Sequence, residues 1–294
     1  NVVLGAALRS GATVVLSDRF DVADALRSVR RHGVTTLVGP PAMWAALAEA
    51  PAEFDADALA TVRLALAGAA PLDPGIARRI EQRYGVSVRQ GYGLTEMSPV
   101  VSLASPSCPV SSVGTPLPGV EIRLVDEDAA DVLVDDVGEV WVRGPNLFSG
   151  YLGDDAATAE VLTADGWLRT GDLGVVDRGG RLTIVGRLKD LIVVSGFNVY
   201  PAEVEEALVT HQGVVSAAVV GEPDPRTGER VVAHVVTAPG AGVTDDDLRD
   251  HVAARLAGYK VPAQFIRVGD LPVGVAGKLR RRELRGQSNV EEGR

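Results

Sequence analysis

Cysteine is nearly absent from this chain. Cys108 is the single thiol in 294 residues, so no internal disulfide can staple the fold, and a reducing, cytoplasmic setting is expected. Histidine is almost as scarce, with four scattered copies, so neither a His/Cys metal cluster nor a Cys-His nucleophilic pair is signalled. Cations are in the minority, 29 Lys and Arg against 39 Asp and Glu, and a net charge of −10 argues against a nucleic-acid partner. The one basic cluster, Lys278 to Arg285 (KLRRRELR), is broken by Glu283 and reads by default as a solvated helix face. Apolar runs such as Val2 to Leu8 are too short to span a bilayer, and no basic-then-apolar signal peptide is present. Internal repeats and low-complexity segments are missing. The paired aspartates at 135–136, 154–155 and 245–247 lack calcium-loop spacing and read as turns and caps.

What is present is a globular composition. Hydrophobic residues make up 46 % of a chain long enough for two domains. It opens at Asn1, without Met, directly into the apolar stretch NVVLGAALRSGATVVL. That opening reads as a cut through a fold, and the sequence is expected to be the later part of a longer protein.

Along the first part, strand-like and helix-like segments alternate. Val2 to Arg9 reads as a buried helix end and Thr13 to Leu16 as a short strand. Asp21 caps a helix that runs to Arg31, with Gly33 at its C-terminal turn. Val34 to Val38 is a strand, and Pro40-Pro41 introduces a helix from Ala42 to Ala50. Val62 to Ala67 is the next strand, Asp73-Pro74 starts a helix whose buried face is Ile76, Ile80 and Tyr84, and Val86 to Arg89 is the fourth strand. Such alternation predicts a helix-covered, mostly parallel sheet. After Leu117 helices become rare. Val120 to Val125, Glu139 to Arg143, Trp167 to Arg169, Gly174 to Val176 and Arg181 to Val185 predict an antiparallel, barrel-like region, with a short helix at Ala156 to Leu162.

Between two such blocks lies Gly186 to Pro201 (GRLKDLIVVSGFNVYP), placed as a hinge. Arg187 and Lys189 stand two positions apart in an extended segment and are expected to face opposite sides of it. An ordinary surface linker is the competing reading. Beyond it, a helix from Pro201 to Thr210, strands at Val214 to Val220, Arg230 to Thr237 and Gln264 to Val268, and a helix capped by Thr244 with Asp247 make a small α+β domain. The expected division is residues 1–187, the later part of a large domain, and 188–294, a small mobile one.

Four segments put glycine beside polar groups where strands should end: Gly68-Ala69-Ala70-Pro71, Gln90-Gly91-Tyr92-Gly93-Leu94-Thr95-Glu96, Arg169-Thr170-Gly171-Asp172 and the Gly186 stretch. Glycine admits a ligand close to backbone, and the mouth of a parallel sheet is where ligands sit. Tyr92 offers a ring for stacking on a base, while Thr95 and Glu96 offer a hydroxyl and a carboxylate for a phosphate with its magnesium. Asp172 can accept from ribose hydroxyls, Arg187 can donate, and Lys278 on a Gly loop suits an oxyanion. Singly, each has a plainer reading as a packed aromatic or a turn residue. GYGLTE lacks the third glycine of a dinucleotide fingerprint, and Gly277-Lys278 fails the Walker pattern.

Together, QGYGLTE, RTGDL, GRLKDLIVVSGFNVYP and GVAGKLRRREL, in this order and spacing, closely resemble the adenylate-forming superfamily of acyl-CoA synthetases, carrier-loading adenylation domains and luciferases. The likeness covers nearly the whole chain. GFNVYPAEVEE and GYGLTEMSPVVS look most like the fatty-acyl-CoA synthetase branch.

That resemblance implies a two-step reaction, in which a carboxylate and Mg-ATP give acyl-AMP and a thiol, usually CoA, then displaces AMP. By the same likeness Tyr92 and the Gly68–Pro71 backbone hold adenine, Gly91 and Gly93 also belong to the nucleotide site, and Thr95 contacts the α-phosphate. Glu96 would position Mg²⁺, and Asp172 and Arg187 would hold the ribose. Lys278 would stabilise charge in the first step, Lys189 would be the hinge, and Gly196 would line the path of CoA. The superfamily's Ser/Thr/Gly-rich phosphate loop does not occur in this sequence, so the chain by itself is not expected to adenylate. Val193 stands where luciferase-like and coumarate-ligase-like members carry lysine, and is taken as a branch marker.

Between Arg89 and Arg123 there is no Lys or Arg to match a second carboxylate, so an apolar, fatty or similar acyl group is expected. Met97, Pro99, Val100 and Val101 are the candidate lining. The expected activity is an AMP-forming acyl-CoA ligase using a small-molecule carboxylate, ATP and CoA. An adenylation domain loading an acyl carrier protein, docked through a basic helix Arg280 to Arg285, and a non-catalytic AMP or acyl-AMP binder are its rivals.

Overall fold

The computed structural model describes residues 2–274 and 279–286. Its chain divides into two compact units, Asn1–Thr170 with Gly174–Ile184, and Gly171–Leu173 with Val185–Arg294.

In the first unit, helix α1 (Val2–Arg9) forms as expected but buries none of its residues, and Leu8 is 64 % exposed. Its apolar content favours helix; burial requires a covering element, and the described residues supply none. Thr13 to Leu16 is not a strand either, because β-branched residues fit a pleated sheet only where a neighbour pairs with them. Helix α2 (Val22–His32) is capped by the Asp21 carboxylate, which accepts from Asp24 N, and ends at left-handed Gly33. Then follow β1 (Thr36–Gly39), α3 (Pro41–Ala48), β2 (Leu64–Ala67), α4 (Pro74–Tyr84, capped by Asp73) and β3 (Val88–Gly93). The three strands are parallel. Leu26, Val29, Trp44, Leu47, Leu59 and Ile80 pack into the core beside them. Two further strands escape sequence reading, β4 (Val100–Leu103) and β5 (Thr115–Pro116); both are short, and they extend the sheet antiparallel in the order β1-β2-β3-β4-β5.

A second sheet, β6-β7-β8-β9, is built from β6 (Glu121–Val125), β7 (Val137–Arg143), β8 (Leu168–Val176) and β9 (Leu182–Arg187), with α5 (Asp155–Val161) between β7 and β8. Met97, Val101, Val140, Val142, Leu168 and Leu182 form its core. The RTGD stretch, expected as a turn between separate short strands, lies inside the single strand β8. Left-handed Gly171 absorbs the irregularity there.

The second unit opens with the hairpin β10 (Ile192–Val194) and β11 (Phe197–Val199), turned by Ser195 and Gly196, both at positive φ. Helix α6 (Pro201–Val209), β12 (Val214–Asp224), β13 (Gly228–Thr237), α7 (Asp245–Ala253) and β14 (Gln264–Arg267) follow. The sheet runs β11-β10-β13-β12, with β14 parallel on β13. Thr244 and Asp247 exchange both hydrogen bonds of a capping box. The stretch expected as a basic helix from Arg280 to Arg285 is a short 3-10 turn, Arg281–Glu283, and its cations are engaged. Arg280 pairs with Glu283, Arg281 with Glu205, and Arg285 approaches Asp190. No helix among the described residues is long and apolar enough to cross a membrane. A mostly parallel, helix-covered sheet, an antiparallel region and a small α+β unit are the architecture that the sequence pattern predicts.

Candidate active site

Because β2 and β3 run parallel, the segments that follow them emerge at the same edge of the sheet, where ligands of open α/β sheets bind. Gly68 to Pro71 leaves β2, and Gly91 to Glu96 completes and leaves β3. Gln90, 5 % exposed, joins the two: its Oε1 accepts from Leu72 N at 2.8 Å, and its amide donates to Val110 O. Ala69 takes a left-handed φ of 74°. A side chain at Gly93 would place Cβ 1.9 Å from Pro99 O, so the close approach of these two backbones requires glycine. Tyr92 is half-exposed and packs against the core of the second sheet.

Thr95 to Met97 form a 3-10 turn after β3, followed by left-handed Ser98 and a cis Ser98–Pro99 bond. Segment 146–151 grips this turn at four points. The Asn146 amide donates to Met97 O and to Val100 O (2.9 Å), Phe148 N donates to Glu96 O (2.8 Å), and the Tyr151 hydroxyl donates to Glu96 Oε1 (2.8 Å). The bond to Glu96, aided by burial, holds the Tyr151 phenol above its ordinary pKa and therefore protonated. Phe148 meets the Tyr151 ring edge-on, with centroids 5.0 Å apart.

Beside the turn lies a cavity of about 440 Å³, walled by Val2, Ala6, Pro99, Val100, Leu117 and Val120. No charged side chain among the described residues lines it. Pro99 and Val100, both named from sequence, are on its wall. Met97, also named, is fully buried in the core instead. The donors available for a cation are hard oxygens. Glu96 supplies a carboxylate with one oxygen held by Tyr151, and Thr95 a neighbouring hydroxyl. One carboxylate beside substrate phosphates suits Mg²⁺, which keeps several waters and seldom has an all-protein cage.

In the second unit Asp172 and Arg187 are brought together, Arg187 Nε donating to Asp172 Oδ1 at 2.6 Å. Asp172 is buried while Arg187 is half-exposed, so the charge-assisted bond fixes the carboxylate at the edge of the unit. Lys189 sits in a 3-10 turn, Leu188–Asp190, so the extended segment expected there does not form, and the expectation of opposite sides fails on its own terms too, because residues two apart on a strand share a face. Gly196 lies at the exposed tip of the β10–β11 hairpin. Val193 is 40 % exposed, and its N–H donates to Glu229 Oε2. Lys278 lies outside the described residues. On either side of it, Val273 and Leu279 bridge, and Arg280 N donates to Pro272 O at 2.8 Å. Arg281 makes two 2.7 Å bonds to Glu205, which also accepts from Val219 N.

Sequence reasoning missed Asn146, Tyr151 and Glu205, whose bonds to Met97 and Val100, to Glu96 and to Arg281 span 46 to 76 residues. Gln90 stood in the QGYGLTE motif, but its amide bridge carried no local signal.

Glycine-bearing turns at the mouth of a parallel sheet, joined to a carboxylate beside an uncharged pocket, are an arrangement that α/β proteins use to bind ligands. The chain belongs to the AMP-binding enzyme family, which it matches over residues 1–152, with the AMP-binding enzyme C-terminal domain matching residues 203–278. Among its relatives is a 3-[(3aS,4S,7aS)-7a-methyl-1,5-dioxo-octahydro-1H-inden-4-yl]propanoyl:CoA ligase of Mycobacterium tuberculosis, 40 % identical over 285 residues (95 % of this chain, 54 % of the relative). Another is a feruloyl-CoA synthase of Amycolatopsis sp, 41 % identical over 281 residues (95 % and 57 %). The crystal structure of ATP-bound MatB from Rhodopseudomonas palustris superposes with a TM-score of 0.90 at 33 % identity, covering 96 % of this chain and 56 % of that one. The chain thus spans about half the length of the curated relatives it matches.

Proposed function

We propose that this chain is part of an AMP-forming acid–thiol ligase that activates an uncharged carboxylic acid as its acyl-adenylate and passes the acyl group to CoA. The observation that carries the reading is the uncharged cavity walled by Pro99 and Val100, directly beside the turn that bears Thr95 and Glu96. An acyl group in that cavity would put its carboxylate near the groups that handle phosphate. A second carboxylate would find no cation on that wall to pair with.

The residues divide the work. The Gly68–Pro71 and Gly91–Gly93 backbones with the Tyr92 ring would hold adenine, Thr95 the α-phosphate, and the Asp172–Arg187 pair the ribose. Glu96 would hold Mg²⁺, which when bound offsets phosphate charge. Lys278 would stabilise the oxyanions of the adenylation step. Lys189 would act as the hinge of a mobile small domain covering residues 188–294, and Gly196 would border the path of CoA. Fatty acids and cyclic acids both satisfy the chemistry of the cavity, and the two ligases reported above are named for cyclic acyl groups.

Incubating the native-length protein with ATP, Mg²⁺, CoA and a panel of carboxylates, with products read by mass spectrometry, tests the proposal. Acyl-CoA from uncharged acids is expected. Acyl-AMP alone would point to a carrier protein as acceptor, and no product at all would favour a non-catalytic binder. Lys278→Ala is expected to slow acyl-AMP formation by about 100-fold or more while CoA transfer from supplied acyl-AMP persists. Equal loss in both halves would remove Lys278 from the first step.

A further inference from the structure

Glu96 is a half-buried residue on a three-residue turn, a poor platform for a ligand that must be held to within a few tenths of an ångström. Left alone, its side chain would sample several rotamers, and each would aim the carboxylate differently. Segment 146–151 removes that freedom. Phe148 N fixes the backbone of Glu96 itself, and the two Asn146 bonds fix the residues just after it, at Met97 and Val100. The Tyr151 hydroxyl then takes one carboxylate oxygen. Tyr151 is in turn fixed by its own surroundings. Its N–H donates to Thr158 Oγ1 at 2.9 Å, its ring is met by the Phe148 edge, and the Thr158 hydroxyl is tied to Asp154 O.

Resting on the reading of Glu96 above, we propose that Tyr151 is a positioning residue for the nucleotide-bound divalent cation: its phenol pins Glu96 Oε1, leaving Oε2 aimed for the metal. No other side chain bonds the Glu96 carboxylate among the described residues. The phenol is suited to this work because a neutral hydroxyl orients a carboxylate without neutralising it, whereas Lys or Arg at position 151 would compete with the cation for the same charge. Asn146 has a related effect one step along the chain. The amide that steadies the Glu96 turn also fixes Val100 on the cavity wall, so the cation ligand and the acyl wall are set by one short segment.

Tyr151→Phe in the native-length protein tests the proposal, since it removes one oxygen and keeps the ring and its contact with Phe148. Two readouts are needed, with Glu96→Gln as the reference variant. The first is electron paramagnetic resonance of Mn²⁺ titrated into protein saturated with a non-hydrolysable ATP analogue. The second is the Mg²⁺ dependence of acyl-AMP formation. For Tyr151→Phe an affinity for Mn²⁺ about 10-fold weaker is expected, with a raised KM for Mg²⁺, a kcat largely recovered at saturating Mg²⁺, and an unchanged melting temperature. Normal Mn²⁺ affinity in Tyr151→Phe beside a large loss in Glu96→Gln would overturn the role of Tyr151 alone. Normal affinity in both variants would overturn the role of Glu96 and the proposal with it. A lowered kcat with unchanged metal dependence would make Tyr151 structural and would also overturn the proposal.

Discussion

Arg281 stands three residues after Lys278 and makes the two 2.7 Å bonds to Glu205 that tie the end of the described chain to α6. The Glu205 side chain is 17 % exposed and that of Arg281 is 23 % exposed, so the pair is mostly out of water. Burial pushes the Glu205 carboxyl above its ordinary pKa; the Arg281 charge and the Val219 N–H pull it back. Arg281→Met keeps the aliphatic stem and deletes the guanidinium, leaving the carboxylate with one backbone donor. Removing one partner of a buried pair costs about 3 kcal/mol. All three tryptophans lie in the first unit, so fluorescence would not report the loss. Amide exchange at Val219 would, because its N–H donates to Glu205 at 2.7 Å, and acceleration on the order of 100-fold near pH 8 is expected. The pH dependence has a definite sign. An acid whose folded pKa is raised binds its proton more readily in the native state, so native stability falls as pH rises through the folded value. Without Arg281 the carboxyl moves further up, so lowering the pH protonates it more readily and makes it less expensive to bury. The deficit is then expected to shrink to about 1 kcal/mol. A deficit below about 1 kcal/mol near pH 8, or one that does not change with pH, would refute this account of the pair.

Two further outcomes are expected. Gly93→Ala forces Cβ against Pro99 O, so it should destabilise the protein by about 2 to 4 kcal/mol and weaken AMP binding, measured by thermal unfolding with and without AMP. His234 is wholly buried on β13; burial pushes its imidazole below the ordinary value, and the nearby Glu222 carboxylate opposes this only in part. A depressed folded pKa gives stability that is present above the unfolded value and lost as pH falls through the histidine range. His234→Leu should therefore lessen the loss of stability between about pH 7 and pH 5 by about 1 kcal/mol, as followed by urea unfolding; an identical slope in both proteins would refute the assignment.

Much of this protein was settled by local chemistry. Asp21, Asp73 and Thr244 cap helices because a side-chain oxygen reaches the N–H three residues on, and Gly33 and Gly85 end helices because only glycine takes the left-handed turn without strain. Motifs of six or seven residues likewise marked the mouth of the parallel sheet, because Gly68 to Pro71 and Gly91 to Glu96 each directly follow or complete a strand and carry that strand's end in their own local sequence. Local rules failed where a partner was absent or remote. Apolar α1 is exposed and Thr13 to Leu16 is unpaired, because burial and pairing belong to two elements rather than one. The RTGD stretch entered a strand because neighbouring strands gave its backbone hydrogen bonds that a turn would have left to water. The basic cluster read as a solvated helix became an anchored turn once Glu205 lay within reach of Arg281. The sequence by itself therefore determined helix ends, strand periodicity and the chemical types at the site. Tertiary structure alone decided that Tyr151 meets Glu96 and that Asn146 spans the turn, because a hydrogen bond depends on where two atoms lie in space, and these pairs lie 46 to 55 residues apart.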